Sequence, residues 1–299
     1  MAAAAAAPDA VVVVPDPRDT VAAKILRAAA KAPLNVVLVV LGALWIVPTV
    51  GLFLTSILPV SALASKGWWQ FFSKPSLATF SNYDSLFHNS GLVSALETTA
   101  YIAVGNVVLV VILGAMAGYA FAWLDFPGRD WLFIGVIALL VVPLQMALIP
   151  MFRLYDKLHL YGTWEGIALF HVAFGLPFAV FLLRNFFVGI PKDILESARI
   201  DGASEIRIFL RLMLPLGLPA IASLAIFQFL WTWNDLLVAL TFGGNTQPIT
   251  VWISGQLRDF GTSIDIIAPA SFISLIVPLC VFFAFQRYFV QGLLAGSVK

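Results

Sequence analysis

The chain has 299 residues, 61% of them hydrophobic and 11% charged, against about 25% charged in a soluble domain, which excludes an ordinary water-soluble enzyme. Its 17 Lys and Arg nearly cancel 16 Asp and Glu, so no global charge draws it to nucleic acid. One cysteine, Cys280, cannot pair internally, and no Cys/His cluster has the spacing of a zinc or iron–sulfur site.

Residues 1–32 open with an alanine run, carry VVVV at 11–14 and place Asp9 ahead of any basic residue. A signal peptide would begin with positive charge and an apolar stretch, so this segment is expected to be a disordered cytoplasmic tail. The remainder, 33–299, reads as one all-α polytopic membrane domain. A mid-bilayer charge costs about 2.5 to 3.5 kcal/mol and a span needs about 20 apolar residues. Six charge-free runs meet that need, at 32–65, 98–124, 131–152, 166–183, 212–234 and 266–286. They predict spans near 34–58, 96–123, 131–151, 165–187, 212–234 and 266–288. A seventh run, 236–257, is broken at its centre by GGNTQP and is expected to be an external loop. Trp68, Trp69, Phe71 and Phe72 in the first external loop suit the membrane interface.

Six spans put twelve Lys and Arg on the side of both termini and five on the other. Cytoplasmic loops carry the excess of positive charge, so both termini are expected in the cytoplasm. No GxxxxGK[ST], HExxH or GxSxG occurs, so the chain cradles no nucleotide phosphate and any ATP energy must come from a partner. Gly114 and Gly118 form a GxxxG that lets another helix approach closely. Within the runs the polar residues include Asn106, Gln145, His171, Gln228, Thr232 and Asn234, with Trp231 and Trp233 beside the last of them. Such groups face the bundle interior, either bonding between helices or lining a path for a neutral polyhydroxylated solute. Asp235, Glu97 and Glu165 fall at span ends, where water reaches them.

The loop between the fourth and fifth spans carries the clearest design. Pro191 suits the first turn of a helix and Gly202 its stop. Between them Ile194, Leu195 and Ala198 form an apolar stripe, with Asp193, Glu196 and Arg199 at solvated or pairing positions. Such a helix suits a partner's groove. Ser204 then caps a second helix that runs through Ile206 and Phe209 into the fifth span, giving a continuous mechanical path from loop to membrane.

The string Glu196-Ser197-Ala198, three residues, Gly202, nine residues, Leu212-Met213-Leu214-Pro215 closely resembles the EAA loop of ABC importer permeases. Asp201-Gly202-Ala203 matches the common DGA variant, while Ser197 and Leu212 are mild departures. Residues 117–129 (Gly118 aside), 229–240 and 286–299 are similar to segments of the sugar-importer permeases, the last to the tail of the smaller, maltose-type subunit. The resemblance covers about 89–299 and implies half of a translocation pathway. A second, larger permease would complete it, two ABC ATPase subunits would sit beneath with their ATP and Mg, and an external solute-binding protein would deliver an oligosaccharide or α-glucoside. The chain itself would bind no cofactor and lie in the bacterial inner membrane.

Under that resemblance the ATPase-coupling residues are Glu196, Ser197, Ala198, Asp201, Gly202, Ala203, Leu214 and Pro215, with Glu196 the charged anchor and Pro215 setting the exit angle of the fifth span. Gln145, His171, Gln228, Trp231 and Asn234 are the candidate pathway residues. Two other readings compete. An ion-driven secondary carrier would be expected to carry acidic groups in its spans, and these runs contain no Asp or Glu. A membrane glycosyltransferase using Asp201 and Asp235 would need them on one side of the membrane, whereas the charge count separates them.

Overall fold

A computed structural model describes residues 21–88, 90–256 and 263–295. The chain divides into two units, 1–51 and 52–299. Helix α1, Val21–Ser56, carries the first unit. It begins within the segment expected to be a tail, and the rest of that expectation, residues 1–20, lies outside the described residues. Along 34–47 its large side chains are exposed, Trp45 at 83%, as suits a helix whose solvent is lipid.

In the second unit the first loop folds into short helices, α2 at Val60–Lys66 and α3 at Ser81–Phe87. Asn82 fixes this loop by donating to the carbonyls of Ser56 and Leu58, at 3.0 and 2.9 Å. Next comes α4, Ser90–Trp123, whose 34 residues span about 51 Å at 1.5 Å per residue. It packs most extensively along α7, Trp164–Val188. The two glycines explain why. A Cβ on Gly114 would come within 2.7 Å of Ala179 Cβ, and one on Gly118 within 3.0 Å of the Arg184 backbone nitrogen. With no side chain there, the two backbones meet closely.

The third predicted span is not a straight rod. Helix α5, Arg129–Ala138, passes through a 3-10 turn at Leu139–Val141 and meets α6, Leu144–Lys157, at 99°. Pro143 stands at the corner with extended backbone, because its ring forbids the helical hydrogen bond and biases Val142 out of the helical region. Among the described residues, four helices can cross a membrane by length and composition, or up to six if each bent pair is one span.

The loop helix α8, Lys192–Ile200, leads to α9, Glu205–Ile208, a π-helical stretch at Phe209–Met213, and α10, Leu214–Leu216. The fifth-span helix α11, Leu218–Trp233, then departs at 74°. The continuous path expected from loop to span is therefore interrupted. Nor does Pro215 sit at the bend: Gly217 does. The wide turn ahead of Pro215, where Leu214 N–H donates to Phe209 C=O, relieves the clash a proline imposes on the preceding turn. Gly217 is buried, and a Cβ on it would lie 2.6 Å from Phe187 Cε1.

The run at 236–257 forms two short helices, α12 at Leu237–Phe242 and α13 at Ile249–Gln256, joined by a turn at the expected breaker. The last helix is α14, Ile264–Ala295.

Candidate functional site: a loop helix and a buried polar cluster

Helix α8 is built as its sequence directs. Pro191 is its N-cap, one position ahead of the expected first turn. At the other end Gly202 adopts φ +78°, a conformation that spares glycine the Cβ clash. Ala203 N–H donates to Ala198 C=O and Gly202 N–H to Arg199 C=O, both at 3.0 Å, so the last turn's carbonyls are satisfied. Ser204 Oγ accepts from Arg207 N–H and starts the next helix.

The apolar stripe splits in two. Leu195 is fully buried and Ala198 packs against the same core, which also holds Tyr119, Leu183 and Phe187. Ile194 stays at the surface, joined by Ile200 at 86% and Ile206 at 72% exposure. The stripe that suggested a partner's groove thus anchors the helix to its own bundle, and the isoleucines left bare are a second set. Glu196 points outward and pairs with Lys192 at 2.7 Å. That hydrogen-bonded ammonium holds the Glu196 carboxyl below the ordinary carboxylate range, and the carboxylate in turn raises Lys192. Ser197 is exposed and donates to Asp193 C=O at 2.7 Å. Asp201 is exposed as the C-cap, Ala203 is half-buried, and Leu214 and Pro215 lie beyond the π-turn.

Arg199, expected at a solvated or pairing position, joins three elements. Its Nε donates to Glu205 Oε1 at 2.8 Å and its Nη2 to Trp123 C=O at 3.3 Å. The other oxygen of Glu205 accepts from the Tyr119 hydroxyl. Trp123 Nε1 donates in turn to Phe187 C=O at 3.1 Å. Tyr119 and Trp123 lie in the last turns of α4, far away in sequence, and no local pattern announces the pairing.

About halfway along α4 a polar cluster is buried between α4, α7 and α11. Asn106 Nδ2 donates to Thr232 Oγ1 at 2.7 Å and to Gln228 Oε1 at 3.3 Å. All three are buried. Gly175 makes room, since a Cβ there would meet the Gln228 amide at 2.8 Å. His171 is buried, donates from Nδ1 to Ile167 C=O at 2.9 Å, and meets the Trp231 ring edge-on at 5.0 Å. Its Nε2 faces Asp235 Oδ2 at 3.6 Å. Asp235 is not simply solvated, as its span-end position suggested. Its carboxylate accepts the N–H groups of Val238 and Ala239 at the start of α12, and its carbonyl accepts from Thr250 Oγ1.

Of the five pathway candidates, the structure draws together His171 and Trp231 and places Gln228 in the adjoining amide cluster. Gln145 and Asn234 are exposed, and none of the cluster's hydrogen bonds reaches them. Among the described residues no group of three or more His, Cys, Asp or Glu could hold a metal ion.

Residues 110–294 match a family model described as the binding-protein-dependent transport system inner membrane component. The chain is 46% identical over 275 residues to the osmoprotective compounds uptake permease protein GgtD of Synechocystis sp., covering 90% of this chain and 92% of that one. It is also 46% identical over 245 residues to the alpha-glucoside transport system permease protein AglG of Rhizobium meliloti, covering 79% of this chain and 64% of that one. In fold it is similar to a chain of a bacterial ABC transporter that imports the acidic polysaccharide alginate, with TM-score 0.74 at 21% identity over 88% of this chain and 98% of that one.

Proposed function

The chain belongs to the family of binding-protein-dependent inner-membrane transport components, and from that premise we propose that it is the smaller permease of an ABC importer for a neutral sugar or α-glucoside. It is a transport subunit and not an enzyme, because ATP hydrolysis in such systems belongs to separate subunits. A second permease completes the pathway, two ATPase subunits bind ATP and Mg beneath it, and a solute-binding protein delivers the cargo outside. Both termini face the cytoplasm. The observation that carries the reading is α8 itself, a discrete helix at the loop's tip with its own hydrophobic anchor, its stop glycine in place, and Glu196 presented outward. Such a helix can be gripped without being unfolded from the bundle.

The sugar class rests on chemistry as well as on the relatives' names. The polar groups clustered between α4, α7 and α11 are amides, a hydroxyl and an imidazole beside a tryptophan, which suit hydroxyl-rich neutral solutes. Trp231, Asn234 and Gln145, which reach the surface, are assigned to the pathway wall, with His171 and Gln228 supporting it from behind. The reading is tested by ATP-dependent uptake of maltose and trehalose by the reconstituted transporter. A second test is cross-linking from Ser197→Cys to the ATPase, made in a Cys280→Ser background because Cys280 is itself exposed. Uptake without ATP, or no adduct during turnover, would overturn it.

A further inference from the structure

Force delivered to α8 has two routes into the membrane. Along the chain it runs through α9, the π-turn and α10 to α11, and this route turns by 74° at Gly217. A π-turn and a 74° corner in series make a poor push-rod, since force along one helix axis is not carried straight through a wide turn and a bend. Across the chain the route is direct. Arg199, in the last turn of α8, holds Glu205 and the Trp123 carbonyl together, and Glu205 holds the Tyr119 hydroxyl. Leu195, fully buried, fixes the same helix to the same core. Behind Tyr119 and Trp123, α4 is locked to α7 through Gly114 and Gly118 and through the bond from Trp123 to the Phe187 carbonyl.

We propose that Arg199, Glu205 and Tyr119 form a positioning clamp that delivers the coupling stroke to the α4–α7 pair rather than along the chain into α11. This rests on the coupling role argued above for α8. The side chains of Arg199 and Glu205 are 38% and 42% exposed, so before docking the pair contributes little to stability, as surface ion pairs generally do. A partner seated over the loop excludes water and strengthens the same contacts. The clamp therefore tightens when the ATPase engages. Geometry also makes the arginine specific: its planar fork serves two acceptors on different helices at once, which an ammonium does less well.

The test uses the whole transporter, both permeases with the ATPase subunits, in proteoliposomes given binding protein and maltose or trehalose. Tyr119→Phe removes one hydroxyl and leaves the ring packed on Phe209, whose centroid lies 5.3 Å away. In this variant and in Arg199→Ala, ATP hydrolysed per sugar imported is expected to rise about five- to tenfold, the factor that corresponds to losing one ordinary hydrogen bond. Assembly with the ATPase should be unchanged, Arg199→Lys should recover only part of the loss, and the double variant should be no worse than Arg199→Ala. A wild-type ratio in both single variants, or loss of ATPase from the purified complex, would overturn the clamp. Wild-type complexes that import neither sugar would instead overturn the functional reading beneath it.

Discussion

His171 and Asp235 come within 3.6 Å of each other across the interface between the fourth-span helix and the segment that follows the fifth. With His171 Nδ1 committed to Ile167 C=O, the remaining ring nitrogen is aimed at a carboxylate that also caps α12. One aspartate thus serves a helix start and faces the one imidazole nitrogen of His171 that has no hydrogen bond. Asp235→Ala is expected to lower stability by about 1 to 2 kcal/mol, as loss of a cap does, while Asp235→Asn, which keeps a capping oxygen, should recover most of it. Thermal unfolding of the purified complex in detergent measures both, and equal losses would refute the capping role.

Gly202 separates backbone strain from crowding. Nothing lies within 4 Å of a Cβ built there, yet its φ is +78°. Gly202→Val is therefore expected to cost about 1 to 2 kcal/mol through the left-handed conformation alone and to uncouple ATP hydrolysis from uptake. Gly202→Asn, which tolerates that conformation, should be milder in both. If valine and asparagine behave alike, the effect is not conformational.

Gly114 presents the opposite case, with ordinary backbone and no space. Gly114→Ala places a methyl 2.7 Å from Ala179 Cβ, and overpacking of this kind costs about 1 to 3 kcal/mol. Combining it with Ala179→Gly should restore most of the lost unfolding temperature. A double variant no better than the single one would show that the α4–α7 contact is not the limiting one.

The Lys192–Glu196 pair predicts a pH profile. Glu196 is depressed by the ammonium beside it, so the pair's contribution is complete above the ordinary carboxylate value and fades as pH falls through the depressed one. Lys192 is raised by the same contact, so its share persists below the ordinary lysine value and is lost only above the raised one. Helix α8 should therefore be indifferent to pH through the neutral range. An NMR titration of the Glu196 carboxyl should show its midpoint moving up in Lys192→Met, and an unmoved midpoint would refute the pairing.

Local chemistry in the loop was legible from the amino acids alone. Gly202 at the helix stop, Ser204 at the next start, and Gly114 and Gly118 in α4 each act over a few residues or at a fixed helical spacing, and each is found where expected. What the sequence concealed was of longer range or sterically collective. Pro143 is visible in the third run, but a proline in a membrane helix can be absorbed as well as obeyed, so the 99° corner could not be read. Leu195 and Ile200 are equally apolar, and only the position of the core decides that one is buried and the other bare. Arg199 meets Trp123 and Glu205 meets Tyr119 because α4 ends beside α8, a fact of packing that no stretch of either segment encodes. The bend falls at Gly217, just ahead of Pro219, whose missing N–H breaks the helical ladder there, while Phe187 fills the space a side chain at 217 would need.

The bare isoleucines at the tip of the loop have a meaning for the cell that makes this subunit. Ile200 and Ile206 are 86% and 72% exposed; on the docking role proposed for α8 they stay bare until the ATPase covers them, and bare apolar surface favours self-association. A copy synthesised in excess thus advertises its own orphanhood. Stoichiometry between the subunits can be enforced after translation by the same few methyl groups that assembly conceals.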